Sequence, residues 1–241
     1  MDVIKRLRCI LGFLTVLPVG GYCSLREAAS GAWLFPLVGA VIGALAGSLG
    51  YFLQAFLPWS VSAAMAFFFL LFLTGFHHLD GLLDLGDAAM IRGGQRQRQR
   101  VMHSPGIGTG AFGVGLFTIL VTYLALSSAE NIVSALVMAE ASAKLSMLLV
   151  ASMAPPAWSG MGEEFITTLR RSRGAVFLGV MLYLVIVAPL AGIKSVPLLL
   201  VILVFSYSMA RFSQRLIGGV SGDVLGAANE LTRMLALVVL I

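Results

Sequence analysis

Long apolar runs separated by short polar stretches make up most of this chain. A helix needs about 20 apolar residues to cross a bilayer. Runs of that kind occupy residues 32–57, 61–76, 112–127, 132–154, 175–191 and 196–210. A seventh, 225–241, is interrupted by Asn229, Glu230 and Arg233. Residues 10–19 are also apolar, but ten residues containing Pro18 are too few to cross, so this segment is expected to lie at the interface or to re-enter. A cleavable signal peptide is the other reading, and it is disfavoured because Pro18 stands where a small-residue cleavage site would be needed. The pattern predicts an all-α fold. It is read as a polytopic integral membrane helical bundle with six or seven transmembrane helices plus the short N-terminal segment, in a single domain over residues 1–241.

Composition removes the soluble alternative. Hydrophobic residues make up 59% of the chain and charged residues 11%, where a soluble domain carries about 25% charged. Mean hydropathy is +0.97. Cys9 and Cys23 lack metal-ligand spacing and are expected to be structural. The net charge of +5 is read as basic loops lying against anionic lipid, not as a nucleic-acid signal. The Gln/Arg run at 95–100 has no interleaved aromatic residue and reads as the polar face of a short surface helix.

Lys5, Arg6, Arg8, Arg26, Arg92, Arg96, Arg98, Arg100, Arg170, Arg171, Arg173, Arg211 and Arg215 all fall in alternate loops. The opposite loops hold only Lys194. This positive-inside pattern predicts a multi-pass protein of the cell membrane with its long loops in the cytoplasm.

The acids carry the chemistry. Asp80, Asp84 and Asp87 follow the run at 61–76 with spacing i, i+4, i+7, which places all three on one helical face. His77 and His78 lie one turn before them. Like charges at such spacings repel, and Asp at a helix C-terminal end opposes the dipole. A divalent cation is the economical compensation, since Mg²⁺ takes one or two carboxylates together with substrate phosphate oxygens. Gly81 and Gly86 are expected to leave room for a bulky substrate beside the metal.

A second acidic group, Asp223 and Glu230, follows a glycine-rich turn that includes Gly222, a backbone suited to phosphate or to simple helix capping. The loop Met102-His-Ser-Pro-Gly-Ile-Gly-Thr-Gly reads equally as a ligand loop, with His103, Ser104 and Gly108 as contacts, or as helix packing. Glu140 and Lys144, i and i+4 within a span, predict an internal ion pair. A cation-coupled transporter is the competing class, but its acids would gather at the midplane, whereas these clusters stand at cytoplasmic span ends.

The segment His78-Leu-Asp-Gly-Leu-Leu-Asp-Leu-Gly-Asp-Ala resembles the H-x-D-G-L-x-D-x-x-D signature of the cobalamin (5′-phosphate) synthase family, also called adenosylcobinamide-GDP ribazoletransferases. Phe13-Leu-Thr-Val-Leu-Pro-Val, Phe35-Pro-Leu-Val-Gly and Ser221-Gly-Asp-Val-Leu-Gly-Ala-Ala-Asn-Glu resemble three further family segments, in the same order. Two positions depart: Ser104 stands where an Asp is usual, and Pro155-Pro-Ala-Trp lacks a usual Arg. A CDP-alcohol phosphotransferase shares the chemistry, but its motif has a different acid spacing.

The resemblance implies a Mg²⁺-dependent transferase that joins adenosylcobinamide-GDP to α-ribazole or its 5′-phosphate and releases GMP in vitamin B12 assembly. It implies metal ligands Asp80, Asp84 and Asp87, a proton acceptor in His78 or Asp87, and Asp223 as a further catalytic group. Substrate contacts are expected from His103, Ser104, Gly108, Gly222 and Glu230. The lipid bilayer is the expected surrounding, no nucleic acid is involved, and a homo-oligomer or assembly with other B12 enzymes stays open.

Overall fold

The computed structural model describes residues 3–20 and 23–241, without the side chains of Met161 and Arg173. Arg173, counted among the basic loop residues, therefore lies outside the described side chains. The described residues form helices and no strand; a single bridge joins Pro156 to Val220. In chain order the helices are α1 (Val3–Leu14), α2 (Leu25–Gly31), α3 (Phe35–Leu53), α4 (Trp59–Leu73), α5 (His77–Met90) and α6 (Gln95–Met102). They continue with α7 (Thr109–Ser127), α8 (Ile132–Met153), α9 (Met161–Arg171), α10 (Arg173–Ala191), α11 (Ser195–Ile217) and α12 (Gly222–Leu240).

Four stretches are long and apolar enough to cross a membrane: Leu25–Leu53, Thr109–Ser127, Ile132–Met153 and Gly174–Ile217. The last contains two of the expected spans, α10 and α11, broken at Gly192, whose φ of +54° lies in the left-handed region. The expected span at 61–76 ends early. Gly75 and Phe76 both take left-handed φ, and α5 leaves α4 at 88°. The carboxylates therefore lie on a new helix that runs across the direction of α4, not on the end of the old one. The seventh stretch is a full helix, α12, but Asp223, Glu230 and Arg233 make it too charged to count as an apolar span. The N-terminal segment is the helix α1, which ends at Leu14 and hands over to an irregular stretch. Cys9 and Cys23 are joined as a disulfide between α1 and the start of α2.

α8 is the axis of the bundle. Every residue from Met138 to Ala151 is buried, with α3, α10, α11 and α12 packed around it. Its small residues make this possible. On α3, Gly39, Gly43 and Gly47 repeat at four-residue intervals and meet Glu140, Leu136 and Val133 in turn, so the helices run antiparallel with their backbones in contact. A methyl group at Gly47 would lie 2.6 Å from the Val133 Cα. Lipid supplies no hydrophobic drive between helices, so this close fit is a large part of what holds α3 to α8.

α12 is fixed to α8 by charge. Glu140 and Lys144 do pair, at 3.3 Å, but they belong to a larger group. Arg233 bridges Glu140 and Glu230, and Lys144 donates to Asn229 Oδ1 at 2.5 Å. All of these side chains are buried, and the four ionic groups balance two against two.

The polar loops meet at one end. Arg26 pairs with Glu164 at 3.5 Å, linking α2 to α9. Ala157 N–H donates to the Val220 carbonyl at 2.9 Å, and Val220 N–H donates to Pro155 at 2.8 Å. The other end is marked by Trp59, whose indole donates to Ser127 at 2.6 Å, and by Lys194, which donates to Leu240 at 2.8 Å.

Removing one member of the buried group leaves its partners charged and unpaired. Arg233→Met is expected to cost about 3–5 kcal/mol, read as a lowered unfolding temperature of the detergent-purified protein. Gly43→Leu is expected to abolish the monodisperse peak in size-exclusion chromatography, because the α3 backbone can no longer reach Leu136.

Candidate active site

The site is built where α5 crosses α12. A methyl group at Gly81 would lie 2.6 Å from the Asp223 Cα and 2.7 Å from its carbonyl oxygen; one at Gly226 would lie 2.9 Å from the His78 carbonyl. The two acidic segments, far apart in sequence, are therefore in backbone contact. The expectation that Gly81 and Gly86 open space for substrate is corrected. Asp223 backbone fills the space at Gly81, and the backbone of Gly110 and Ala111 fills it at Gly86, 3.2–3.3 Å from a built methyl.

Each carboxylate has its own surroundings. Asp80 is exposed in the first turn of α5, where the helix dipole favours it, contrary to the C-terminal placement expected from sequence. Asp87 accepts hydrogen bonds from Gly108 N–H at 2.7 Å and Ala111 N–H at 2.8 Å, so it caps the N-terminus of α7. Gly108, expected to touch substrate, serves this cap instead: a methyl there would lie 2.5 Å from the Asp87 carboxylate. Asp223 stands in the first turn of α12, beside the N-cap Ser221, whose hydroxyl donates to it at 3.2 Å. Burial raises the Asp223 carboxyl above its usual range, against the pull of Ser221.

Asp84 has no such support. It is half-buried, and burial first, then Asp80, Asp223 and Asp87, push its carboxyl up to about 6. Among the described residues no Lys or Arg forms an ion pair with any of these four acids.

Asp80 and Asp84 line a cleft of about 370 Å³ closed on its other side by Met102, His103, Ser104 and Ile107. His103 is the histidine at the site. Its Nδ1 lies 2.6 Å from the Gln99 carbonyl, which only accepts, so Nδ1 carries a proton, and in the neutral ring Nε2 is the accepting nitrogen. Its ring meets Trp158 edge-on at 4.9 Å. The Ser104 hydroxyl donates to Val101 at 2.7 Å and faces the same cleft.

Two other expectations change. His78 is buried, 7% exposed, and its Nδ1 has no partner among the described residues. Burial first, then Lys144 and Arg233, hold its imidazole well below its ordinary range, so it is neutral and enclosed, not a proton acceptor at the cleft. Glu230 is 1% exposed and committed to Arg233, which takes it out of substrate contact. Gly222 does remain open: nothing lies within 4 Å of a methyl built there. The chain pattern gave no sign that Arg233 would pair with Glu140 or that Trp158 would reach His103, because both contacts join distant segments.

Among the described residues no three carboxylate, imidazole or thiol groups stand close enough to enclose a metal ion. An enclosing set is not what Mg²⁺ needs, since it keeps waters and uses phosphate oxygens. Asp80 and Asp84, side by side on an open cleft with the second already repelled by its neighbours, fit the part of one or two carboxylate donors. Asp87 is already engaged through both oxygens.

No solved structure matches the chain. An adenosylcobinamide-GDP ribazoletransferase of Archaeoglobus fulgidus is 35% identical over 237 residues, covering 95% of this chain and 94% of the relative. One of Pyrobaculum islandicum is 35% identical over 236 residues, covering 96% and 92%. One of Methanosarcina barkeri is 31% identical over 257 residues, covering 95% and 89%. Residues 6–241 match the family described as cobalamin-5-phosphate synthase, and the chain belongs to that family of enzymes.

Proposed function

We propose that this cleft joins adenosylcobinamide-GDP to α-ribazole or its 5′-phosphate, with Mg²⁺, at the cytoplasmic face of the cell membrane. The observation that carries the reading is the crowding of Asp80, Asp84, Asp87 and Asp223 without basic partners, which raises the Asp84 carboxyl to about 6. Such a corner favours a cation and, through it, an anionic diphosphate. The N-termini of α5, α7 and α12 stand at Asp80, Asp87 and Asp223, and the positive ends of their dipoles add to the attraction for phosphate. Arginine-rich loops share this end of the bundle, which supports a cytoplasmic orientation.

Asp80 and Asp84 hold the metal in this reading. When bound, the ion neutralises charge on the diphosphate and stabilises the departing GMP. Asp87 keeps the loop before α7 in place through its two amide bonds. Asp223 orients the substrate against α5. His103 Nε2 accepts the proton of the ribazole 3′-hydroxyl as its oxygen bonds to the phosphorus on the cobinamide side, and the bond from that phosphorus to the GMP oxygen breaks.

The reaction is tested with purified protein, both substrates and Mg²⁺, following GMP release. Turnover is expected to stop with EDTA and return with excess Mg²⁺. Asp84→Asn is expected to lower kcat by about a thousandfold or more while the protein still elutes as wild type, as expected of a group that stabilises transition-state charge. Near-normal turnover in that variant would remove the metal role. His103→Ala is expected to lose about 10²–10⁴-fold in kcat, and His103→Asn to lose as much, since Asn supplies no base; full activity in the Asn variant would leave His103 a packing residue.

A further inference from the structure

The Gln/Arg run on α6 divides into three sets of contacts. Gln95 and Gln99, one turn apart, donate to the last carbonyls of α11: Gln214 and Arg215 at 3.3 Å and Ile217 at 2.7 Å. Arg98 anchors the helix to α5, donating to Ala88 at 3.2 Å and to Gly93 at 3.1 Å. Arg96 and Arg100, also one turn apart, make neither kind of contact and have no carboxylate partner among the described residues. They line a cleft of about 470 Å³ together with Gln99, His103 and Trp158. His103 belongs to this cleft and to the carboxylate cleft at once, so a ligand in one abuts a ligand in the other.

We infer that this second cleft is a subsite for a nucleoside 5′-monophosphate group. Two unpaired guanidiniums on one helical face suit a phosphate monoester, which each can grip through two hydrogen bonds. The Trp158 ring, 4.9 Å from the His103 ring and inclined to it at 62°, lines the cleft and brings an aromatic surface for a heterocyclic base. Loop pairing between 155–157 and 220 holds the backbone that leads into Trp158. The inference rests on the proposed reaction for its ligands. Two of them carry this chemistry: the GMP half of the donor, and the acceptor in its phosphorylated form.

The test uses full-length Arg96→Ala and Arg100→Ala, with Arg92→Ala as control. Arg92 is exposed in the neighbouring loop, carries the same charge and does not line the cleft. If the acceptor phosphate binds here, the ratio of KM for ribazole 5′-phosphate to KM for ribazole rises about tenfold or more in both cleft variants. If GMP binds here, its inhibition constant rises by that factor and the KM ratio stays. The control moves neither. An unchanged KM ratio together with unchanged GMP inhibition in both cleft variants overturns the subsite. Equilibrium dialysis of GMP and of ribazole 5′-phosphate against the same proteins reads the cleft without turnover. A wild-type chain that turns over neither acceptor sinks the proposed reaction. In that case, dialysis still decides the subsite: weaker binding of either nucleotide by the arginine variants supports it, and equal binding by all variants ends it.

Discussion

Uncompensated negative charge at the crossing of α5 and α12 is the constraint to which the rest of the site answers. The crossing is close because Gly81 has no side chain, and its closeness sets Asp223 among the α5 carboxylates. Asp80 and Asp223 are eased by the helix N-termini on which they sit, and Asp87 by the amides that open α7. Asp84, in mid-helix and half-buried, is crowded by Asp80, Asp223 and Asp87 and is eased only in small part by His103. The fold thus concentrates its electrostatic deficit on one group that faces an open cleft.

The interior shows the same residue types with the opposite result. Glu140, Lys144, Glu230 and Arg233 lie midway along α8 and α12, where a transporter would place its working charges. Here they cancel one another and are sealed from solvent, which suits a group that sets the register of α12 on α8. That register matters for chemistry, because Asp223 is carried on the same helix two turns earlier. Matched charge in the core and unmatched charge at the rim are complementary parts of one arrangement.

α6 shows how a low-complexity run can hold specific information. Its Gln positions close the end of α11 and Arg98 ties it to α5, which suspends the loop with His103 and Ser104 over the carboxylates. Ser104 leaves this side of the cleft free of further negative charge. The aromatic partner missing from the run arrives from another segment as Trp158.

The sequence by itself determined that helices fill this chain, that they are apolar enough for a bilayer, and that its acids cluster beside arginine-rich loops. Period and composition are local, and the family signature at 78–88 is contiguous, so all of this was legible. The Glu140–Lys144 pair was legible for the same reason. What tertiary structure decided was which acids are free. Asp87 is engaged by amides 21 and 24 residues away, Glu230 by Arg233 in a core shared with Glu140, and His78 is enclosed beneath Gly226. The left-handed turn at Gly75–Phe76 that reversed the dipole argument for Asp80 is equally invisible in a hydropathy pattern. Helical spacing places side chains on a face. Whether that face meets water, a helix end or an opposite charge depends on a second helix, and that is settled only when the chain packs.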